Sequence, residues 1–331
     1  MIKTRKVQLT GKSTFIVSLP KQWAGRHGVA RGNEIYIEDL PDGSLKLAVE
    51  KSERKRQEAT LNADALTPVE LERSIMSHYL NGASTMNIVS RKQLPAEHRK
   101  TALAQITRMM GFEIVEEKPD RMVMQDFFSH ANLSLQKTLK RSHMITCNMQ
   151  SGFWNAISLG DRKGLEGVLD MENEVDRLTF LIQRQLRGFM GNSSSVETLG
   201  IVPSEISAYY VACRRVERIA DNFNKSAEEI LQITDSMPSE SVLPILSEAN
   251  DFAFEMHNLA MKSFFEKDKA SANTLIDRNK KFQDEKISRM RKLMGIKGVK
   301  PTSFMLLTRY HDIANLGEDV CEVVLNLPMN E

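Results

Sequence analysis

The sequence predicts a multidomain, mainly α protein: a small β-rich N-terminal unit, a small α/β module, and two tandem three-helix bundles. Three observations carry this. From residue 126 onward the chain reads as long segments with 3.6-residue apolar periodicity, broken at 191–195 (GNSSS), at Met237-Pro238 and between Gly295 and Pro301. The segment 214–231 (RRVERIADNFNKSAEEIL) aligns with 308–325 (TRYHDIANLGEDVCEVVL) at an offset of 94 residues, pairing Arg215/Arg309, Ile219/Ile313, Ala220/Ala314, Glu228/Glu322 and Leu231/Leu325. Aromatic residues make up only 6% of the chain while methionines number 18, which favours helix packing over a β-sandwich.

Within residues 1–50, β-branched runs alternate with turn residues. KVQLT and STFIVSL flank a turn at Gly11, and Pro20 opens a short helix, PKQWAGRHG, that Gly28 closes. Gly32-Asn33 turns into EIYIED, and Pro41-Asp42-Gly43-Ser44 turns into SLKLAV. So little apolar material cannot close a core alone, so pairing of two copies with exchanged strands is expected. The stretch Gly11-Lys12-Ser13-Thr14 imitates the end of a phosphate-binding loop, but Lys6 stands where that loop needs glycine and a strand follows where it needs a helix. Nucleotide binding is set aside.

Residues 51–125 divide into a charged linker (51–59, KSERKRQEA) and an α/β module. The module reads as helix VELERSIMSHYL, strand TMNIV, helix PAEHRKTALAQITRMM and a hairpin turned at Lys118-Pro119-Asp120. His78 and His98 stand alone on its helices and read as surface or boundary residues. The bundles are expected over 126–236 and 237–331, with about six helices in all. Cys147, Cys213 and Cys321 lie in apolar helical contexts with no CxxC, which predicts buried thiols in a reducing cytoplasm. No apolar run is long enough to span a membrane, and the N-terminus lacks the core of a signal peptide, so a cytoplasmic location is expected.

The net charge of +2 conceals an asymmetry: residues 1–31 contain seven basic residues and no Asp or Glu. A one-signed cluster in a short folded unit is a candidate polyanion surface. Lys3, Arg5, Lys6, Lys12, Lys21 and Arg26 are the candidate contacts to double-stranded DNA. A second constellation lies in the first bundle. Glu172 and Asp176 on its second helix, and Glu217 and Asp221 on its third, are i,i+4 pairs that each share one helix face. If these faces meet, four carboxylates repel unless a cation neutralises them, and an all-oxygen set suits Mg, Mn, Fe or Ca. Arg214, Arg215 and Arg218 could instead neutralise the acids as ordinary ion pairs. The apolar stripe of the third helix is Tyr209, Cys213, Val216, Ala220, Phe223 and Ala227, flanked by Glu217 and Asp221. No nucleophile stands beside a base, so an enzyme is not expected.

Two resemblances sharpen this reading. The order of strand, GKSTFIVSLPKQW, HGVARGNEIYIED and DGSLKLAV resembles the swapped-hairpin domain of the AbrB/SpoVT class. That resemblance implies an interlocked dimer whose basic face binds DNA. The second half, through ERIAD (217–221) and the two acidic pairs, resembles the PhoU family of phosphate-signalling regulators. It implies metal clusters on Glu172, Asp176, Glu217 and Asp221, with divalent or trivalent ions. In the second bundle His311 and Asn315 replace the third-helix acids, and DRNKKFQDEK carries no matching pair, so that site is expected to be lost or degenerate. Together the resemblances imply a homodimeric, DNA-binding regulator of phosphate uptake similar to archaeal phosphate-uptake regulators. The alternative is an adaptor that docks on a phosphate transporter or sensor protein and uses its N-terminal unit only to dimerise. The acid-free stretch 1–31 favours the first.

Overall fold

The computed structural model describes residues 4–11, 13–39, 43–49, 57–127, 134–191, 201–233 and 237–328. The chain divides into two compact units, Met1–Lys55 and Arg56–Glu331.

In the first unit, β1 (Gln8–Thr10) and β2 (Thr14–Ile16) pair antiparallel with Leu9 opposite Phe15. Gly11 takes a φ of 66° in the turn, a left-handed backbone that glycine adopts without penalty. Pro20 precedes α1 (Lys21–Arg26), and its carbonyl accepts the first helical bonds, from Trp23 and Ala24. A second antiparallel pair, β3 (Tyr36–Asp39) and β4 (Leu45–Ala48), follows. Among its described residues none is buried, and Leu9, Phe15, Ile37 and Leu45 are each more than half exposed. The expected shortage of core is therefore present in the single chain.

The second unit begins with β5 (Glu58–Asn62), which corrects the reading of 51–59 as linker throughout. The highly charged run before it hides an alternation of only two apolar residues, Ala59 and Leu61, both buried. Then come α2 (Pro68–Leu80), β6 (Thr85–Val89), α3 (Ala96–Arg108), β7 (Phe112–Lys118) and β8 (Arg121–Asp126). Helix α2 starts where a capping box forms: Thr67 Oγ1 accepts from the Glu70 amide, and the Glu70 carboxylate accepts from Thr67 N–H at 2.8 Å. The sheet order is β5-β6-β8-β7, with β5 and β6 parallel and the other pairs antiparallel. His98 is buried and donates from Nε2 to the Leu66 carbonyl at 2.7 Å, so it is a structural residue, not a surface one.

The helical body is α4 (Leu135–Leu159), α5 (Arg162–Gly191) and α6 (Ile206–Gln232), then α7 (Leu243–Glu266), α8 (Lys269–Asp284), α9 (Lys286–Met294) and α10 (Pro301–Leu325). Among the described residues seven helices stand where about six were expected, because the middle segment of the second bundle breaks at Glu285 into α8 and α9. The repeat segments are the ends of α6 and α10, and their Ile219, Ala220, Ile313 and Ala314 are all buried. Those two helices pack on each other, with Arg215 paired to Asp319 at 2.7 Å and Arg309 paired to Glu229 at 3.3 Å. Helix α10 also lies close against α7: a Cβ on Gly317 would stand 3.2 Å from the His257 backbone.

One buried cation fastens the α/β module to the bundle. Arg184 of α5 pairs with Asp126, donates to the Tyr79 carbonyl and, at 2.8 Å, to that of Ala83, and lies over the Tyr79 and Phe112 rings. Among the described residues no helix is long and apolar enough to cross a membrane.

Candidate functional site

Helices α5 and α6 pack side by side, and their apolar stripes fix which residues flank the seam. Tyr209, Cys213, Val216, Ala220, Phe223 and Ala227 are all buried, as are Val175 and Leu178 on α5. Glu217 and Asp221 therefore stand at the edge of the core, opposite Glu172 and Asp176. The four carboxylates feel one another. Burial, reinforced by the charges of Asp176, Asp221 and Glu217, pushes the Glu172 carboxyl up to about 7. Asp176 and Glu217 are also raised, first by burial. Glu217 Oε2 is buried with no hydrogen-bond partner, an orphaned acceptor facing this seam.

Three cations already touch the group. Arg108, from α3 of the α/β module, donates to Asp176 at 3.0 Å and also reaches Glu72. Arg214 lies 3.2 Å from Glu217, and Lys225 lies 3.0 Å from Asp221. Arg108 is the residue that sequence reasoning missed: it is some 68 positions from its partner, and nothing local marks it. Among the described residues, no three of these carboxylates bring oxygens within 4.8 Å of one another. The acids converge without closing into one coordination shell. The donor set is all oxygen, anionic and partly desolvated, which fits a hard cation. Glu172, Asp176, Glu217 and Asp221 would hold it, and its chemistry there would be to neutralise their mutual repulsion.

In the second bundle the same two faces carry neutral groups. Asn279 and Gln283 on α8 meet His311 and Asn315 on α10. Asn279 Nδ2 donates to Asn315 Oδ1 at 2.9 Å and to the Glu318 carboxylate. Gln283 Nε2 donates to Asn279 Oδ1 and to the His311 carbonyl, and Gln283 Oε1 lies 2.9 Å from His311 Nδ1. His311 is fully buried and stacked on Phe282, and burial lowers its imidazole to about 3. Asn279 and Gln283 are also absent from the sequence reading, which sought acids at this spacing. The carboxamides bond one another, Glu318 brings the one carboxylate that Asn279 contacts, and His311 Nε2 is buried with no hydrogen-bond partner among the described residues.

In the N-terminal unit Arg5, Lys6, Lys21 and Arg26 are all exposed, the latter two on α1. Lys3 and Lys12 lie outside the described residues. Cys213 and Cys321 are buried free thiols; Cys147 is only half-buried.

Residues 8–56 match the family model described as antidote-toxin recognition MazE, bacterial antitoxin. Residues 139–230 match that of the PhoU domain. No curated protein gives a match. Solved structures of PhoU proteins are similar, among them the following two. The phosphate transport system regulatory protein PhoU from Streptococcus pneumoniae aligns at 12% identity with a TM-score of 0.49, over 58% of this chain and 91% of that one. PhoU from Pseudomonas aeruginosa aligns at 13% identity with a TM-score of 0.43, over 58% of this chain and 93% of that one. By the two family matches, this chain joins a MazE/AbrB-like N-terminal unit to a PhoU-like helical body.

Proposed function

We propose that this protein is a homodimeric, DNA-binding regulator of phosphate uptake and phosphate homeostasis, with a metal-binding helical body. The observation that carries it is the N-terminal unit: all its described core-type side chains are at least partly open, and its exposed cations stand in a stretch that holds no acid through residue 31. A two-stranded pair is marginal on its own. A second copy would cover Leu9, Phe15, Ile37 and Leu45 and would bring two sets of Arg5, Lys6, Lys21 and Arg26 onto one assembly. Doubled cations on a symmetric body suit a duplex, whose phosphate contacts position a protein without base readout. The MazE-type match supports the dimeric head, and the PhoU match supports the role in phosphate regulation. Glu172, Asp176, Glu217 and Asp221 are the proposed metal ligands, and the amide cluster around His311 and Asn315 is the degenerate counterpart.

The test is an electrophoretic shift of duplex DNA by the full chain, beside a variant with Arg5, Lys6, Lys21 and Arg26 all replaced by Ala. Binding by the first and not by the second is expected. If neither binds at low salt, the protein is an adaptor for a transporter or sensor protein, and its head serves dimerisation alone.

A further inference from the structure

A second set of ligand-type side chains lies away from the acids, where the two bundles meet. His143 and Cys147 are one helical turn apart on α4, and His257 faces them from α7. His143 Nε2 lies 3.2 Å from His257 Nδ1 and 3.5 Å from Cys147 Sγ, and all three ligand atoms lie within 4.8 Å of one another. Around a tetrahedral zinc with Zn–N of about 2.05 Å and Zn–S of about 2.3 Å, the nitrogen–nitrogen edge is about 3.3 Å and the nitrogen–sulfur edge about 3.6 Å. Two edges of the required tetrahedron are thus already in place before any ion enters.

The hydrogen bonds around His257 point the same way. Gln150 Nε2 donates to the Asn250 carbonyl and to Asn250 Oδ1, each at 3.0 Å, which uses both of its hydrogens. Gln150 Oε1 must then accept, and it lies 2.8 Å from His257 Nε2. This fixes the His257 proton on Nε2 and leaves Nδ1 as a bare lone pair aimed at His143 and Cys147. A ligating histidine typically donates its other N–H to an oxygen of this kind. Gln150 and His257 are almost wholly buried, while Cys147 is half-buried.

We propose that His143 Nε2, Cys147 Sγ and His257 Nδ1 form a site for zinc or a similar borderline transition metal ion that staples α4 of the first bundle to α7 of the second. On binding, the Cys147 thiol loses its proton to solvent. The His143 proton leaves Nε2, and Nδ1 takes one up, so one proton is released per ion. This site differs from the carboxylate cluster in place and in chemistry, since thiolate and imidazole select a softer ion than carboxylates do.

The full chain, loaded with excess Zn(II) and freed of loosely held ion, is measured by zinc X-ray absorption. The expected result is a sulfur scatterer at about 2.3 Å with nitrogen at about 2.0–2.1 Å. Cys147→Ala loses the sulfur shell and loses the rise in Tm that zinc gives the unmutated chain. Arg278→Met, at an exposed ion pair, keeps both. A zinc shell of light atoms alone in the unmutated chain overturns the proposal, as does a retained sulfur in Cys147→Ala or failure of zinc to bind. The absorption measurement on the unmutated chain decides even if a variant fails to fold.

Discussion

Replacing Arg184 with Met tests how the α/β module is held to the helical body. The side chains of Arg184 and Asp126 are only 5% and 7% exposed, so neither charge has water to fall back on. Methionine keeps most of the packing over Tyr79 and Phe112, so the loss is chiefly electrostatic and of hydrogen bonds to the Tyr79 and Ala83 carbonyls. Removing one partner of a buried pair costs about 3–5 kcal/mol. The pair Arg278–Glu255, whose side chains are 41% and 49% exposed, is the internal control, and an exposed pair contributes at most about 1 kcal/mol. Urea melts followed by circular dichroism give both values. Adding Asp126→Asn to Arg184→Met should recover part of the loss, because contacting residues are coupled by about 0.5–3 kcal/mol. A loss under about 1 kcal/mol for Arg184→Met, equal to that for Arg278→Met, would refute the reasoning.

Further outcomes follow from other parts of the molecule. Glu172 holds its proton to about pH 7 in the folded chain but only to its ordinary value of 4.5 when unfolded, so its contribution is fully present below pH 4.5 and is lost as pH rises through 7. In chelator, Glu172→Gln should therefore be more stable than the unmutated chain at pH 8, with the gap closing toward pH 5, as thermal melts would show. His311 has the opposite sign. Its imidazole stays neutral down to about pH 3 when folded but takes a proton near 6.5 when unfolded, so stability falls as pH drops below 6.5. His311→Gln should flatten that acid limb. Phe15→Asp places a charge where a side chain 73% exposed in the single chain would be covered by a second copy, and light scattering should then report monomer in place of dimer. Glu217→Gln with Asp221→Asn should reduce Mn(II) retained on equilibrium dialysis, while Asn279→Ala should not.

Much of this architecture could be read from periodicity and punctuation. Thr67-Pro68 and the Glu70 cap announce α2, and the repeat through Ile219/Ile313 and Ala220/Ala314 announces two similar bundles because both positions must be buried in each. Strand β5 escaped because Ala59 and Leu61 are too few to raise an alternation above the charge before them. The carboxylate pairs were visible as i,i+4 acids on neighbouring helices. Arg108 was not, since its approach to Asp176 depends on how α3 docks on α5, which no local pattern encodes. The same holds for His143, Cys147 and His257. Two of them share a helical turn, but the third reaches them only through the contact between α4 and α7.

The central claim is that the N-terminal cations bind duplex DNA. Its most direct measurement is the salt dependence of binding, by fluorescence anisotropy, for the full chain and for the variant lacking Arg5, Lys6, Lys21 and Arg26. Each phosphate contact adds about 0.9 to the slope of log affinity against log salt. Four contacts per chain in a dimer make the predicted difference in slope about 7 if all eight cations touch phosphates. Parallel lines for the two proteins, or no binding by the unmutated chain at low salt, would contradict the account.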